Sequence, residues 1–230
     1  MGRFHLWVKC PGRFFELVRK KKPSGRKRGD PRYLRDLRRI PGKRIPWKVI
    51  VIVCEGEKTE PLYFGAIRQS LRMPSLNIRI VPGQGAPISI VNRAIEEKKC
   101  TTKYDDVWCV FDVEQIANNT SFLEAVDKAR RAKINLAITN PAFEYWYLLH
   151  FFRTDRPFIN AEQVIGQLKK YLPKYDKSIS VYESIRDKTD TAIANACELR
   201  KISEEEWENW SNSSTGVDKL LTRIMEIFDR

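Results

Sequence analysis

The chain has 230 residues, 42% of them hydrophobic and 31% charged, with a formal net charge of +13. A chain of this length is enough for one good-sized domain, or for one domain with an appendage. The positive net charge predicts a polyanionic partner. The five cysteines show no C-x-x-C spacing and there are only two histidines, so we expect reduced thiols and no zinc site. The sequence has no long apolar run and no signal-peptide start, so we expect no membrane span and a cytoplasmic location.

The positive charge is concentrated at the N terminus. Residues 1–48 contain 17 of the 42 Lys and Arg residues but only three of the 29 Asp and Glu residues. Because basic runs of this length favour nucleic acid, we interpret residues 1–46 as a basic, flexible arm that binds DNA or RNA, with a solvated tail as the alternative. Its candidate nucleic-acid contacts are Arg26, Lys27, Arg28, Arg35, Arg38, Arg39, Lys43 and Arg44.

Buried strands and amphipathic helices alternate from Trp47 onward. Strands are predicted at 47–54, 77–82, 105–114 and 134–141. Helices are predicted at 59–71, 87–99, 120–133 and 142–152. This alternation predicts an α/β fold with a mostly parallel sheet that is covered by helices on both faces.

No further strand is predicted after about residue 155. The remaining segments have helical patterns, at 162–172, 191–201 and 217–228. We therefore predict an α/β core at residues 47–155 and a helical extension at residues 156–230, which packs on that core because its short helices need a partner surface.

Acidic residues end two of the predicted strands. Glu55 follows the first strand, in VIVIVCEG, and Asp112 and Glu114 end the third, in VWCVFDVE. The carboxyl ends of parallel strands share one edge of the sheet, where open α/β sheets bind ligands. Converging carboxylates repel one another unless a cation lies between them, and oxygen ligands suit Mg²⁺ or Mn²⁺. The pattern predicts such a metal site, with helix-capping or solvated acids as the alternative.

Other polar residues lie close to these strand ends in sequence. Lys58 is a candidate phosphate contact, with a solvated lysine as the alternative. Glu144 lies in the first turn of the helix after the fourth strand, where it either faces the site or responds to the helix dipole. Asn140 and Pro141 are predicted to open this helix, as N-cap and first-turn residue, and His150 is interpreted as a core histidine.

Four motifs, in order VCEGEKTEPLYF, CVFDVE, AITNPAFEYWYLLHF and NSSTGVDKL, resemble the RloB family of bacterial phage-defence proteins over residues 47–220. That family looks like a variant of the Toprim fold, which has a Glu after the first strand and a D-x-D pair two strands later. The resemblance implies that Glu55 takes the first role and that Asp112 and Glu114 take the second, with Glu in place of the last Asp. It also places the segment 211–218 near the site, where helix capping explains most of the residues.

The resemblance implies a Toprim-like nuclease, dependent on Mg²⁺ or Mn²⁺, that hydrolyses DNA or RNA in antiviral, abortive-infection defence. Its candidate catalytic residues are Glu55, Asp112, Glu114 and Glu144. RloB-like proteins are often encoded beside an AAA-type ATPase, so the resemblance also implies such a partner. The alternative is a non-catalytic nucleic-acid-binding module of an ATPase-containing defence complex, in which these acids are structural.

Overall fold

A computed structural model of the chain describes residues 48–71, 76–83, 85–100, 104–113, 120–202 and 212–228. Trp47–Arg230 forms one compact unit. The predicted arm, with its eight candidate nucleic-acid contacts, and Glu114 lie outside the described residues. The predicted fold class is confirmed, because the fold is α/β with a mostly parallel sheet. This arrangement is consistent with the Toprim-like fold that the resemblance implies.

The described residues contain a five-stranded sheet with the order β2-β1-β3-β4-β5. The strands are β1 (Lys48–Cys54), β2 (Leu76–Pro82), β3 (Asp106–Asp112), β4 (Asn135–Asn140) and β5 (Ser214–Thr215). The first four strands pair in parallel, and β5 pairs antiparallel to β4. Since β2 and β3 lie on opposite sides of β1, the strand order reverses between β1 and β3. This topological switch point is where open α/β sheets bind ligands.

Helices connect the strands and make up most of the chain after β4. They are α1 (Thr59–Leu71), α2 (Pro87–Cys100), α3 (Thr120–Ala132), α4 (Glu144–Leu149), α5 (Ala161–Leu168), α6 (Tyr182–Ile185), α7 (Thr189–Ile202) and α8 (Val217–Phe228), with a short 3-10 helix at Arg186–Lys188. Among the helices of the described residues, none has the length and apolar character needed to cross a membrane.

Strand β1 lies between two hydrophobic cores. Ile50 and Ile52 face one core, which contains side chains of α1 and of the helices after β4. Val51 and Val53 face the other, which contains side chains of α2 and α3. All four are fully buried, and each contributes about 1.5–3 kcal/mol. Burial on both faces explains why this strand is a continuous aliphatic run and not an alternating one.

The C-terminal helices pack on the sheet face that α1 covers. Val164 of α5, Ile185 of α6, Ala192 of α7 and Leu220 of α8 are all fully buried in the same core as β1. The prediction that strands stop after about residue 155 is wrong, since β5 follows these helices in the chain and extends the sheet. A strand of two residues is too short to produce a recognisable hydrophobic period.

A glycine allows the chain to approach β4 closely after β5. The Gly216 amide donates a hydrogen bond to the carbonyl oxygen of Ile138 at 2.8 Å. A Cβ atom on Gly216 would lie 3.2 Å from Cα of Ala137, tighter than ordinary van der Waals contact. The Thr215 hydroxyl lies 3.1 Å from that of Thr139, and its Oγ1 accepts a hydrogen bond from the Val217 amide at 3.3 Å. These contacts give the STG sequence a structural role at the start of α8.

Candidate functional site at the carboxyl ends of the central strands

Glu55 and Asp112 lie side by side at the topological switch point. The Glu55 amide donates to the carbonyl oxygen of Val110 at 2.9 Å, which extends the pairing of β1 with β3 by one residue. The Glu55 side chain then crosses the end of β3, and its Oε2 accepts a hydrogen bond from the Asp112 amide at 2.9 Å. Burial raises the pKa of Glu55, and the Asp112 amide opposes this increase. The structure therefore brings these two predicted site residues together.

The two carboxylate oxygens of Asp112 differ in their hydrogen bonding. Oδ2 accepts a hydrogen bond from the Phe143 amide at 2.9 Å. Oδ1 is buried and has no hydrogen-bond partner among the described residues. Burial raises the pKa of Asp112 well above its usual range, and the charges of Glu60 and Glu144 add to this increase. A buried acceptor without a donor costs about 1–3 kcal/mol, so this oxygen lacks a partner that a bound proton or cation would supply.

Asp112 accepts a hydrogen bond from the Phe143 amide at the amino end of α4. The helix begins at Glu144, and the residue in the N-cap position is Phe143, whose side chain makes no capping hydrogen bond. Asn140 is the last residue of β4 and is buried. The prediction that Asn140 and Pro141 open the helix is therefore wrong. The Asp112 carboxylate, from the neighbouring strand β3, takes the place of an N-cap side chain from the helix's own segment. A sequence pattern does not reveal such a contact between distant residues.

Glu60 is a further acid at this edge of the sheet, and sequence reasoning missed it. It lies in the first turn of α1, is 5% exposed, and its Oε1 accepts a hydrogen bond from the Gly56 amide at 3.3 Å. Burial raises its pKa, and the charges of Glu55 and Glu144 add to this increase. An acid in the first turn is ordinary because it complements the helix dipole. The only other sequence feature that points to Glu60 as a site residue is its place in the string CEGEKTE.

Glu144 faces the same group of acids from the first turn of α4. Its side chain is buried, and Oε1 accepts a hydrogen bond from the Tyr175 hydroxyl at 2.7 Å. Lys177 Nζ lies 3.6 Å from the same oxygen. The Glu144 charge raises the pKa values of Asp112 and Glu60, after burial. Glu144 therefore lies close enough to Asp112 and Glu60 for its charge to act on them, and it also occupies the first turn of α4, where the helix dipole favours an acid.

We refer to Glu55, Glu60, Asp112 and Glu144 as the carboxylate cluster. Among the described residues, no group of three His, Cys, Asp or Glu side chains has the arrangement needed to hold a metal ion. The predicted ligand Glu114 is two positions beyond Asp112 and outside the described residues. Mg²⁺ commonly takes one or two protein carboxylates and completes its shell with water and phosphate oxygens. Glu55 and Asp112 fit that chemistry.

Three other candidates among the described residues are Lys58, His150 and Ser214. Lys58 is exposed in the turn between β1 and α1. His150 is buried, its Nδ1 lies 3.0 Å from the Trp146 carbonyl oxygen, and burial lowers its pKa to about 4. It is thus a neutral histidine of the core. Ser214 is buried in β5 and its hydroxyl has no partner among the described residues.

Comparison with known proteins gives one match. A sequence model of a protein family described as RloB-like protein matches residues 50–224. No curated protein matches the chain, and neither does any solved structure. The matched region includes every acid of the carboxylate cluster, helices α4 to α7 and the first part of α8.

Proposed function

This chain belongs to the RloB-like protein family, and from that membership and its carboxylate cluster we propose that it is a metal-dependent nuclease that hydrolyses phosphodiester bonds of DNA or RNA in antiviral defence. The observation that carries the proposal is the unpartnered Oδ1 of Asp112, buried beside three other acids at a topological switch point. Burial and like charge make this arrangement costly, which a site for a hard divalent cation explains.

Asp112 and Glu55 are the described residues that would hold Mg²⁺ or Mn²⁺, with Glu114 as the further predicted ligand. The chemistry that such an ion supplies is polarisation of the scissile phosphate and stabilisation of the leaving oxygen. Alternatively, Glu55 would be the general base and not a metal ligand, because its raised pKa makes its carboxylate a stronger base, suited to accept a proton from the attacking water. Hydrogen bonds from Asp112 and Phe143 amides fix both carboxylates against the sheet edge, so little reorganisation is needed.

The predicted arm would supply affinity. Its cations would contact phosphates, which hold nucleic acid in place without reading its sequence. An AAA-type ATPase partner, which the family resemblance implies, would supply sensing and energy. Neither the arm nor the ATPase would need to alter the arrangement of the carboxylate cluster to act in this way.

A second candidate function is a nucleic-acid-binding module without catalysis. The observation that favours it is that the described residues contain no three-residue metal-binding group. On this account the acids are structural, and the arm docks nucleic acid onto the ATPase partner.

A nuclease assay separates the two functions. The full chain would be incubated with Mg²⁺ or Mn²⁺ and a panel of single-stranded DNA, duplex DNA and tRNA, with and without the neighbouring ATPase. We expect metal-dependent cleavage of at least one substrate, lost in Glu55→Gln and retained in Glu57→Gln, which changes an exposed acid of the same turn. Binding of nucleic acid without cleavage, and without calorimetric binding of either metal, would establish the binding module instead.

A further inference from the structure

Tyr175, in the loop between α5 and α6, reaches the carboxylate cluster from outside the sheet. Its side chain is 6% exposed, and its hydroxyl donates a hydrogen bond to Glu144 Oε1 at 2.7 Å. Its ring packs edge-on against the ring of Tyr147, also on α4, with centroids 6.1 Å apart. The Tyr175 amide donates to the carbonyl oxygen of Leu172 at 2.9 Å, which orders the loop around it. Tyr175 is therefore held against the helix that carries Glu144.

The contacts that this loop makes with Glu144 occupy a single carboxylate oxygen. Besides the Tyr175 hydroxyl, Lys177 Nζ lies 3.6 Å from the same Oε1 atom, although the Lys177 side chain is 55% exposed. Neither contact uses Oε2. Because a carboxylate is planar, a hydrogen bond to one oxygen restricts the direction in which the other oxygen accepts. The loop therefore fixes Glu144 and leaves Oε2 for another partner.

Glu144 lies next to the acid that we propose as a metal ligand. It directly follows Phe143, whose amide donates to Asp112 Oδ2 at 2.9 Å. Burial raises the pKa of Asp112 most, and the charge of Glu144 adds to this increase. Within the described part of the chain, no three acids are arranged to bind a metal ion directly. Since Mg²⁺ keeps several waters when a protein binds it, Glu144 is suited to a contact with the ion through water.

Satisfaction of a buried acid does not explain the whole arrangement. The hydrogen bond from Tyr175 compensates Glu144 for burial, but it leaves the repulsion between Glu144 and Asp112 in place. A cation at Asp112 would remove that repulsion. Acids around metal sites are commonly held by hydrogen bonds of this kind, which fix their orientation toward the ion or its waters.

We propose that Tyr175 is a positioning residue, which holds Glu144 by Oε1 so that Oε2 accepts a hydrogen bond from a water of the cation at Asp112. This inference rests on the proposed function, since it takes the carboxylate cluster to bind Mg²⁺ or Mn²⁺. Tyr175 touches neither the ion nor the substrate and acts only through Glu144. It adds the loop after α5 to the segments that build the site.

Calorimetric titration of the full chain with Mn²⁺ tests this role without requiring cleavage. Tyr175→Phe keeps the aromatic ring and removes the hydroxyl, and we expect the Mn²⁺ Kd to rise about tenfold. Tyr145→Phe is the matched control. Tyr145 is 1% exposed on the same helix, but its hydroxyl donates to the carbonyl oxygen of Thr154 at 2.6 Å and not to an acid of the cluster. This variant should keep the parental Kd.

A double-mutant cycle shows whether Tyr175 acts through Glu144. Glu144→Gln keeps an acceptor for the tyrosine hydroxyl, removes the charge and should itself raise the Mn²⁺ Kd. If Tyr175 acts only through this acid, adding Tyr175→Phe should raise the Kd no further, whereas independent effects would multiply. Multiplied effects would overturn the positioning role. So would a parental Kd in Glu144→Gln, a result that does not depend on the folding of Tyr175→Phe.

The cleavage rate gives a separate readout. At saturating Mn²⁺, Tyr175→Phe should lower kcat about tenfold with little change in KM for the oligonucleotide, because Glu144 acts at the ion and not along the strand. A parental Kd in Tyr175→Phe, or the same rise in Tyr145→Phe, would overturn the positioning role even if the chain cleaves. Mn²⁺ binding with the expected Kd values but without cleavage would overturn the nuclease and support the positioning role. A parent chain that binds no Mn²⁺ would overturn both.

Discussion

Glu55 Oε2 accepts a hydrogen bond from the backbone amide of Asp112 at 2.9 Å, so the end of β3 fixes the side chain that follows β1. The Asp112 carboxylate in turn accepts a hydrogen bond from the Phe143 amide at 2.9 Å. Each acid is therefore positioned by backbone groups of a different element. Since β1 and β3 are paired central strands, the separation of the two carboxylates is set by sheet register.

We predict that Glu60→Gln weakens metal binding. Gln keeps an acceptor for the Gly56 amide but removes a charge that acts on Asp112 and Glu55. Residues that hydrogen-bond to metal ligands typically change metal affinity by about 10–100-fold when they are mutated, and the loss of a neighbouring negative charge also weakens the attraction for a cation. We expect the calorimetric Kd for Mn²⁺ to rise by about tenfold. Without metal, the thermal midpoint should rise, because repulsion within the cluster decreases.

Glu57→Gln is the matched control for Glu60→Gln. Glu57 is an exposed acid of the same turn, so its neutralisation should leave the Mn²⁺ Kd unchanged. A Glu60→Gln variant with parental Mn²⁺ affinity would show that Glu60 is only a helix-capping acid.

Most of the fold could be predicted from the sequence because its elements are long and strongly patterned. The aliphatic run of β1 and the acid-ended β3 are continuous buried strands, and the helices between them have clear apolar faces. Strand β5 could not be predicted, since Ser214 and Thr215 form a strand only through pairing with β4.

The site could be predicted where its acids end a strand, as Glu55 and Asp112 do. Glu60 could not be predicted as a site residue, because a buried acid and an exposed acid in the first turn of a helix have the same sequence pattern. The contact of Tyr175 with Glu144 links residues 31 positions apart, and no local pattern marks it. Such long-range contacts arise from tertiary packing, which periodicity does not report.

We predict that Gly216→Ala destabilises the fold by about 1–3 kcal/mol, the usual cost of overpacking. The added methyl group would lie 3.2 Å from Cα of Ala137, a backbone atom that cannot easily move. Gly166→Ala is the control, because Gly166 lies within α5 and a Cβ there would meet nothing within 4 Å. It should stabilise the protein by about 0.5–1 kcal/mol. Urea unfolding measures both, and equal effects would argue against the close approach.

We predict that His150 makes stability depend on pH. Burial lowers its pKa to about 4, whereas the unfolded chain binds a proton near pH 6.5. Its contribution is therefore complete above about pH 6.5 and is lost as the pH falls toward about 4, by an amount on the order of 3 kcal/mol. Urea unfolding across this range should show a smaller loss for His150→Gln. The control His5→Gln changes the only other histidine and should retain the parental pH dependence.

We predict that removal of residues 1–44 weakens nucleic-acid binding about tenfold or more at moderate salt, and reduces its salt dependence, because fewer counterions are released. Fluorescence anisotropy with labelled DNA and RNA measures both effects. The thermal transition should persist, since the compact unit begins at Trp47. Parental affinity in the truncated chain would show that the basic segment is a solvated tail.

The central claim is that Asp112 holds a catalytic metal ion. Asp112→Asn keeps the side-chain shape and an acceptor for the Phe143 amide but removes the charge. The decisive measurement is the metal-dependent cleavage rate of parent and Asp112→Asn, with the Mn²⁺-induced shift of the thermal midpoint recorded on the same samples. The account predicts that cleavage is abolished and the shift is strongly reduced, while the metal-free variant is at least as stable as the parent. Cleavage at the parental rate, or no metal-induced shift in either protein, would contradict it.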